Sequence, residues 1–437
     1  MNARNVFVVG AEDFNFNKLR TIPAAEECRF HPLFSFEQVQ GPRRYAMDRL
    51  LALAERKLRA FPERIDGIIG YWDLPVSAMV PLLANRFGLP AAPLPGVIAC
   101  EHKYWSRLIQ QRALGGEGVP AFRLVDPFAN GELPAVGLGY PFWLKPIKSF
   151  QSHLGFRVDD DGALVTAIRA IRAGIGRLAE PFNRLLEHVE LPAEVAQVRG
   201  EHCVAEQLIG GSQCTVEGYA FAGTAHSYGI IDSIRYDGVS SFARYEYPSL
   251  LPPTVQQRMR ETVARLVPAL GLTHGAFNIE FFWDEANDRL WLIEINPRMS
   301  QSHADLFEKV DGVSHHQVVV DLALGREPRW QTGRGMYRCA AKCYLRTFRD
   351  GVVTRVPDAE ELARIAREMP GTIVRPSVRE GQRLSDVPDE DSYSYPLAQI
   401  YLGADSREEL LARYARCVEM LGFEVSSEPI APMQPAG

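Results

Sequence analysis

Two short apolar-rich runs stand near the start of the chain, "NVFVVG" (5–10) and "IDGIIG" (65–70), and each reads as a strand buried on both faces. Between them "GPRRYAMDRLLALAERKLRAF" (41–61) places Met47, Leu50, Leu51, Leu58 and Phe61 near helical spacing. After them "LPVSAMVPLLANRFG" (74–88) reads as a helix begun by Pro75 and stopped at Gly88. Strand, helix, strand, helix predicts a small parallel α/β unit. Gly10 is followed by "AEDFN", not by a glycine-spaced turn, so no dinucleotide fingerprint is present.

A proline- and glycine-dense stretch, "GLPAAPLPGV" (88–97), marks a boundary. Beyond it the pattern predicts a helix in "CEHKYWSRLIQQRALGG" (100–116) and strands in "VPAFRLV" (119–125) and "YPFWLKPIKSF" (140–150). Further strands are predicted in "CVAEQLIGG" (203–211), "CTVEGYAFAG" (214–223) and "AHSYGIIDSI" (225–234), then a helix in "PTVQQRMRETVARLVPALG" (253–271). A last section mixes strands, "YRCAAKCYLRTF" (337–348) and "LAQIYLGA" (397–404), with an amphipathic helix, "SREELLARYARCVEMLG" (406–422). The expected domains are 1–95, a parallel α/β unit; 96–335, two-lobed with antiparallel sheets and a lid at roughly 140–210; and 336–437, α+β. Two or three units suit 437 residues.

The most informative pattern is "AFNIEFFWDEANDRLWLIEINPR" (276–298), two aromatic-rich runs flanking the polar cluster "DEAND", which predicts a hairpin. If its loop is symmetric about Asn287, Glu280 faces Glu294, with Cβ atoms roughly 4.5–5.5 Å apart. Strand alternation puts Asn296 and Arg298 on the face of Glu294. Two ionised carboxylates so close, in an aromatic frame, require that one be protonated or that a cation sit between them. Carboxylates plus an amide oxygen, without sulfur or imidazole, describe a Mg²⁺ or Mn²⁺ site. Arg298 adds a planar fork suited to carboxylate or phosphoryl oxygens. A surface hairpin with a charged outer face is the competing explanation.

An acid on one strand followed by E-x-N-x-R on the next, here Glu280 and "EINPR", resembles the ATP-grasp superfamily, whose members activate a carboxylate with ATP. The resemblance implies that Glu280 and Glu294 hold the metal ions, Glu294 bridging two of them with Asn296 completing the second site. It implies that Arg298 steadies the transferring phosphoryl group. It also points to Lys103 in "EHKYW" and Lys145 in "WLKPIKSFQSHLGF" as phosphate-binding lysines. The loop after Lys145 has only Gly155, leaving Lys148, Ser149, Ser152 and His153 as its donors. By the same resemblance "VAEQLIGGSQC" (204–214) docks adenine through Glu206, Gln207 and the backbone at Leu208. Gln213 would reach the ribose, and Phe282, otherwise a core aromatic, would wall the base.

Biotin carboxylases place a glutamine and a glutamate after the arginine. Here "RMSQSH" (298–303) has Ser300 and Ser302 there, and only His303 agrees, so bicarbonate would lack its general base. The segment 229–253 is similar to its counterpart in ATP-grasp amino-acid and dipeptide ligases, with Arg235 and Arg244 as partners for a substrate carboxylate or phosphate. The expected activity is ADP-forming ligation of a carboxylate to an amine, with Arg298, Arg244 and His303 in catalytic roles, ATP as co-substrate and Mg²⁺ or Mn²⁺ as cofactor. An ATP-dependent carboxylase and a non-catalytic ATP-binding module are the alternatives.

The charge balance changes little: a formal net charge of −6 gives no basic face for nucleic acid. No apolar stretch approaches the roughly 20 residues needed to span a bilayer, and the first apolar run is too short for a signal-peptide core. Seven scattered cysteines fit reduced thiols, so the expected location is the cytoplasm and the expected partners are small molecules. A homodimer is compatible with all of this. His315 and His316 are adjacent and would not face one metal, so "GVSHHQVVV" (312–320) reads as a helix start with Ser314 as its cap.

Overall fold

The first apolar run forms the middle strand, Arg4–Ala11, of a three-stranded parallel sheet, flanked by Cys28–Ser35 and Gly67–Ile69. Val6, Val8 and Val9 are fully buried there, as expected of a strand covered on both faces. The structure, a computed structural model, describes residues 3–41, 46–129, 133–134, 136–149, 153–239, 241–386 and 394–426. Ser152 of the sequence reading lies outside these.

The fold is mixed α/β with parallel and antiparallel sheets, and the chain divides into two compact units. The first comprises residues up to Ile230, Leu251–Gln301 and His315–Trp330. In it, helix Met47–Arg59 buries Met47, Leu51, Ala54 and Leu58, one stripe at helical spacing. Helix Val76–Arg86 starts after Pro75 and ends just before Gly88, whose φ of +66° is a left-handed stop.

Two antiparallel sheets follow within this unit. One has the strand order Phe122–Val125, Cys203–Gln207, Phe142–Pro146, Phe156–Val158, and helix Asp161–Gly174 packs its buried Leu164, Ala167, Ile168 and Ile171 into the same core. The other strands of this unit pair in the order Arg289–Asn296, Gly275–Asp284, Ser212–Phe221, followed by the part of Thr224–Arg235 up to Ile230. Gly218 permits the middle of this sheet to close: a Cβ there would lie 2.3 Å from the Phe277 ring and 2.5 Å from the His226 carbonyl oxygen. Gly218→Ala is therefore expected to lower stability by about 1–3 kcal/mol, the usual cost of overpacking, as read by urea unfolding.

The second unit holds Ile231–Leu250, Ser302–Ser314 and the chain from Gln331. Strands Phe242–Tyr247, Cys339–Thr347, Tyr395–Ala404 and Ile373–Pro376 pair antiparallel in that order. Helix Arg407–Met420 buries Leu410 and Cys417 in a core with Ile400 and Leu402. All seven cysteines are free and buried, including Cys339 and Cys343. Among the described residues no helix is long and apolar enough to cross a membrane.

Candidate active site

Glu280 and Glu294 are cross-strand partners, as the hairpin reading expects, but not for the expected reason. The loop between Asp284 and Arg289 is not centred on Asn287: near it Asp284 pairs Arg289 and Phe281 pairs Leu292. Ile293 is an extra residue on the second strand, and beyond this bulge the register becomes Glu280 to Glu294 and Asn278 to Asn296. The bulged backbone is held from outside the sheet. Arg107 donates from Nη1 to the Leu292 carbonyl (3.0 Å) and from Nη2 to the Ile293 carbonyl (2.8 Å).

Around Glu280 the carboxylate oxygens accept from Asn296 Nδ2 (3.2 Å) and Gln213 Nε2 (2.9 Å). Burial and then the facing Glu294 push its carboxyl up to about 7. Glu294 goes the other way. Burial would raise it, but Lys103, Lys145 and Lys148 outweigh that and bring it down to about 2. One acid of the pair thus holds its proton more tightly than usual and its neighbour is firmly ionised. Asn296 also donates to Asn278 Oδ1 (3.2 Å), so its oxygen is the atom left to meet a cation.

Lys103 opens helix Lys103–Leu114, and His102 fixes that start. The imidazole Nδ1 accepts from the Trp105 N–H (3.1 Å), which leaves the proton on Nε2 to donate to the Val198 carbonyl (3.1 Å). Burial pulls this ring down to about 4, so it stays neutral and serves as a cap. The Lys103 ammonium, 7% exposed, reaches Glu294 Oε1 (2.8 Å) and the Ser149 carbonyl (2.7 Å). Lys145 pairs with Glu206 Oε2 (2.8 Å) and Lys148 with Glu101, whose other oxygen accepts from Ser77 Oγ (2.6 Å).

Glu206 is buried and bound on both oxygens, by Arg107 Nε (2.8 Å) and Nη2 (3.2 Å) and by Lys145; burial would raise its pKa, but these cations bring it down to about 2. A carboxylate has about four acceptor positions, so one remains for a further N–H. Gln207 is exposed at the end of its strand, its backbone N–H donating to Ala121 O (2.8 Å), and Leu208 follows half-buried. Phe282 is half-buried two residues from Glu280, between Trp291 and Gln213 on the neighbouring strands.

Arg298 grips Asp73 through Nε (2.9 Å) and Nη2 (3.0 Å) and reaches the Met299 carbonyl from Nη1 (3.3 Å). Of five N–H donors three are spent, leaving one each on Nη1 and Nη2 as a second parallel pair. Arg244 and His303 belong to the other unit. There Arg244 pairs with Glu246, and His303 is buried with its ring edge-on to Tyr245 at 5.0 Å. His315 is itself the N-cap of helix His316–Ala323, one residue later than the sequence suggests; it makes no side-chain cap bond, its Nδ1 lying 3.1 Å from the Tyr228 hydroxyl.

Among the residues that escaped the sequence reading are Arg107, Glu101 and Glu217. Arg107 shares the helical face of Lys103 and Gln110, a visible signal. Glu101 adjoins the His102 cap and gives none. Glu217, the one acid in its strand, lies on the face of Gln213 and Thr215 and is fully buried. It accepts from Asn278 Nδ2 (2.7 Å) and the Ser300 N–H (3.1 Å), and burial pushes it up to about 7.

These shifts set a pH dependence. Glu280 and Glu217 are raised on folding, so their contribution to stability is present below the ordinary carboxylate range and lost as pH rises through about 7. Glu294 and Glu206 are lowered, so theirs is present above that range and lost only toward about 2. The melting temperature of metal- and nucleotide-free protein is expected to fall between about pH 6 and pH 8.5. A flat profile across that window in a calorimetric series would contradict these assignments.

Among the described residues no three His, Cys, Asp or Glu side chains gather as a ready-made ligand set. Two carboxylates and an amide suit a hard cation that keeps water and shares phosphate oxygens.

The family model for the ATP-grasp domain matches residues 138–304. A D-alanine–D-alanine ligase of Synechococcus sp. (strain CC9605) is 27% identical over 190 residues, 42% of this chain and 48% of that protein. The chain thus spans about half the length of this curated relative. An L-amino acid ligase from Bacillus licheniformis has the same fold, with a TM-score of 0.76 at 20% identity over 98% of this chain and 100% of that one. The biotin carboxylase domain of Hydrogenobacter thermophilus 2-oxoglutarate carboxylase, crystallised as a dimer with MgADP and bicarbonate, superposes with a TM-score of 0.61 at 16% identity, over 97% and 91% of the two chains. Residues 138–304 thus match an ATP-grasp domain, and the chain shares the fold of these solved structures.

Proposed function

We propose that the protein is an ATP-dependent, ADP-forming carboxylate–amine ligase acting on amino-acid or peptide-like substrates. The observation that carries this reading is the facing Glu280–Glu294 pair, flanked by Asn296, with Lys103 on one of its carboxylates and Lys145 and Lys148 near enough to lower the same group. Glu280, Glu294 and Asn296 would hold Mg²⁺ or Mn²⁺, which when bound neutralises phosphate charge and polarises the P–O bond that breaks.

The chain's own groups do the rest. Lys103, Lys145 and the loop at Ser149 receive the triphosphate. Glu206, Gln207 and the Leu208 backbone present hydrogen-bonding groups to the adenine edge, with Phe282 beside the base and Gln213 toward the ribose. A substrate carboxylate oxygen attacks the γ-phosphorus, the bond to the ADP oxygen breaks, and the two remaining N–H groups of Arg298 receive the transferring oxygens. The amine nitrogen then attacks the acyl carbon, phosphate leaves, and the nitrogen gives up a proton. In this reading Arg244 pairs with a substrate carboxylate or phosphate, and His303 lies on the acceptor's approach. Residues 1–95, 96–335 and 336–437 are the three domains of this reading.

The test is ADP release across a panel of amino acids and small acids, each with and without hydroxylamine to trap an acyl phosphate. A hydroxamate formed with one acid would identify the donor. ADP release that requires bicarbonate instead of an amine would replace the ligase with a carboxylase.

A further inference from the structure

Each of the three lysines gathered here is closed by a carboxylate: Lys103 by Glu294, Lys145 by Glu206 and Lys148 by Glu101. The lysine ends are almost wholly buried, whereas Glu294 keeps 32% of its side chain exposed. Glu294 is therefore the point at which an incoming ion meets this set.

Resting on the ligase reading of the site, we propose that Lys103 occupies the place of a divalent cation on Glu294 until nucleotide arrives, which makes cation and nucleotide binding mutually dependent. A free cation approaching Glu294 meets the ammonium already there, with Lys145 and Lys148 in electrostatic reach of the same carboxylate. To displace it would leave a buried ammonium holding only the Ser149 carbonyl, an uncompensated buried charge that weakens cation binding. A triphosphate arriving without metal faces the mirror problem: it draws Lys103 away and leaves Glu294 ionised beside Glu280. Arriving together, the two exchange partners. The ammonium passes to a phosphate oxygen, the carboxylate to the cation, and no charge is stranded. No covalent bond changes. The His102 cap keeps the helix start in place, so the exchange is a side-chain movement of Lys103 about a fixed backbone.

Two variants break the lock from opposite sides. In nucleotide-free protein at alkaline pH, Mn²⁺ titrations followed by electron paramagnetic resonance should show Lys103→Met binding the ion on the order of ten-fold or more tighter than wild type. In the presence of EDTA, calorimetric titration should show Glu294→Gln binding ADP on the order of ten-fold tighter than wild type, because Lys103 has lost its anionic partner. If Lys103→Met does not fold, as judged by circular dichroism, the Glu294→Gln arm decides alone. Absence of the gain in a folded variant overturns the exchange, and so does wild type that binds Mn²⁺ without nucleotide as tightly as Lys103→Met. Titration of wild type with MgATP separates the two ideas: no binding there counts against the ATP site itself, whereas binding with a missing gain counts against the exchange only.

Discussion

Arg107→Met is expected to lower the stability of the first unit by roughly 3–5 kcal/mol, the usual consequence of removing one partner of a buried ion pair. Arg107 is 2% exposed and all five of its N–H donors are matched, by both oxygens of Glu206, Gln110 Oε1 (2.6 Å) and the carbonyls of Leu292 and Ile293. Its loss strands buried acceptors on three elements at once and leaves Glu206 with Lys145 alone. Lysine restores the charge but not the fork, so Arg107→Lys should recover only part of the loss. Arg107→Met combined with Glu206→Gln should be less damaging than the sum of the two changes, since the uncompensated charge is gone. Urea unfolding of wild type and the four variants checks this, and Arg107→Met within about 1 kcal/mol of wild type would show that the bulge holds itself.

Arg298→Ala is expected to reduce kcat/KM for ligation on the order of 10²–10³-fold while nucleotide still binds, the effect of losing a donor aimed at developing charge. The change also leaves Asp73, 25% exposed, without its bidentate partner. Water reaches that carboxylate, so the stability loss should stay small beside the catalytic one. Steady-state kinetics with the substrate found by hydroxamate trapping, together with ADP titration, separates the two effects. A loss confined to KM for ATP would move Arg298 out of the phosphoryl-transfer step and into nucleotide binding.

How far the site could be read ahead depended on whether its causes were local. The facing of Glu280 and Glu294 came from counting outward from an assumed loop centre. The real loop is offset from Asn287, and the bulge at Ile293 restores the expected pairing. Nothing local announces that bulge, because Ile293 is an ordinary strand residue. Its partner is Arg107, some 186 positions away in the chain. Lys103 and Lys145 were pointed to by the resemblance and not by any local pattern. Nothing pointed to their present partners: pairings with Glu294 and Glu206 join segments that no periodicity connects. Glu217 was legible in principle, as the one acid in the strand Ser212–Phe221. In the parallel sheet the opposite holds: Val6, Val8 and Val9 announce a doubly covered strand by composition alone.

In the proposed ligase the carboxylates of Glu280 and Glu294 share a divalent cation with the phosphates of ATP. Anomalous scattering from crystals grown with Mn²⁺ and a non-hydrolysable ATP analogue tests it most directly. The expected result is an anomalous peak within coordination distance of both carboxylates and of phosphate oxygens, with Lys103 turned from Glu294 toward the nucleotide. A manganese ion held by the phosphates alone, with Lys103 still on Glu294, would contradict it.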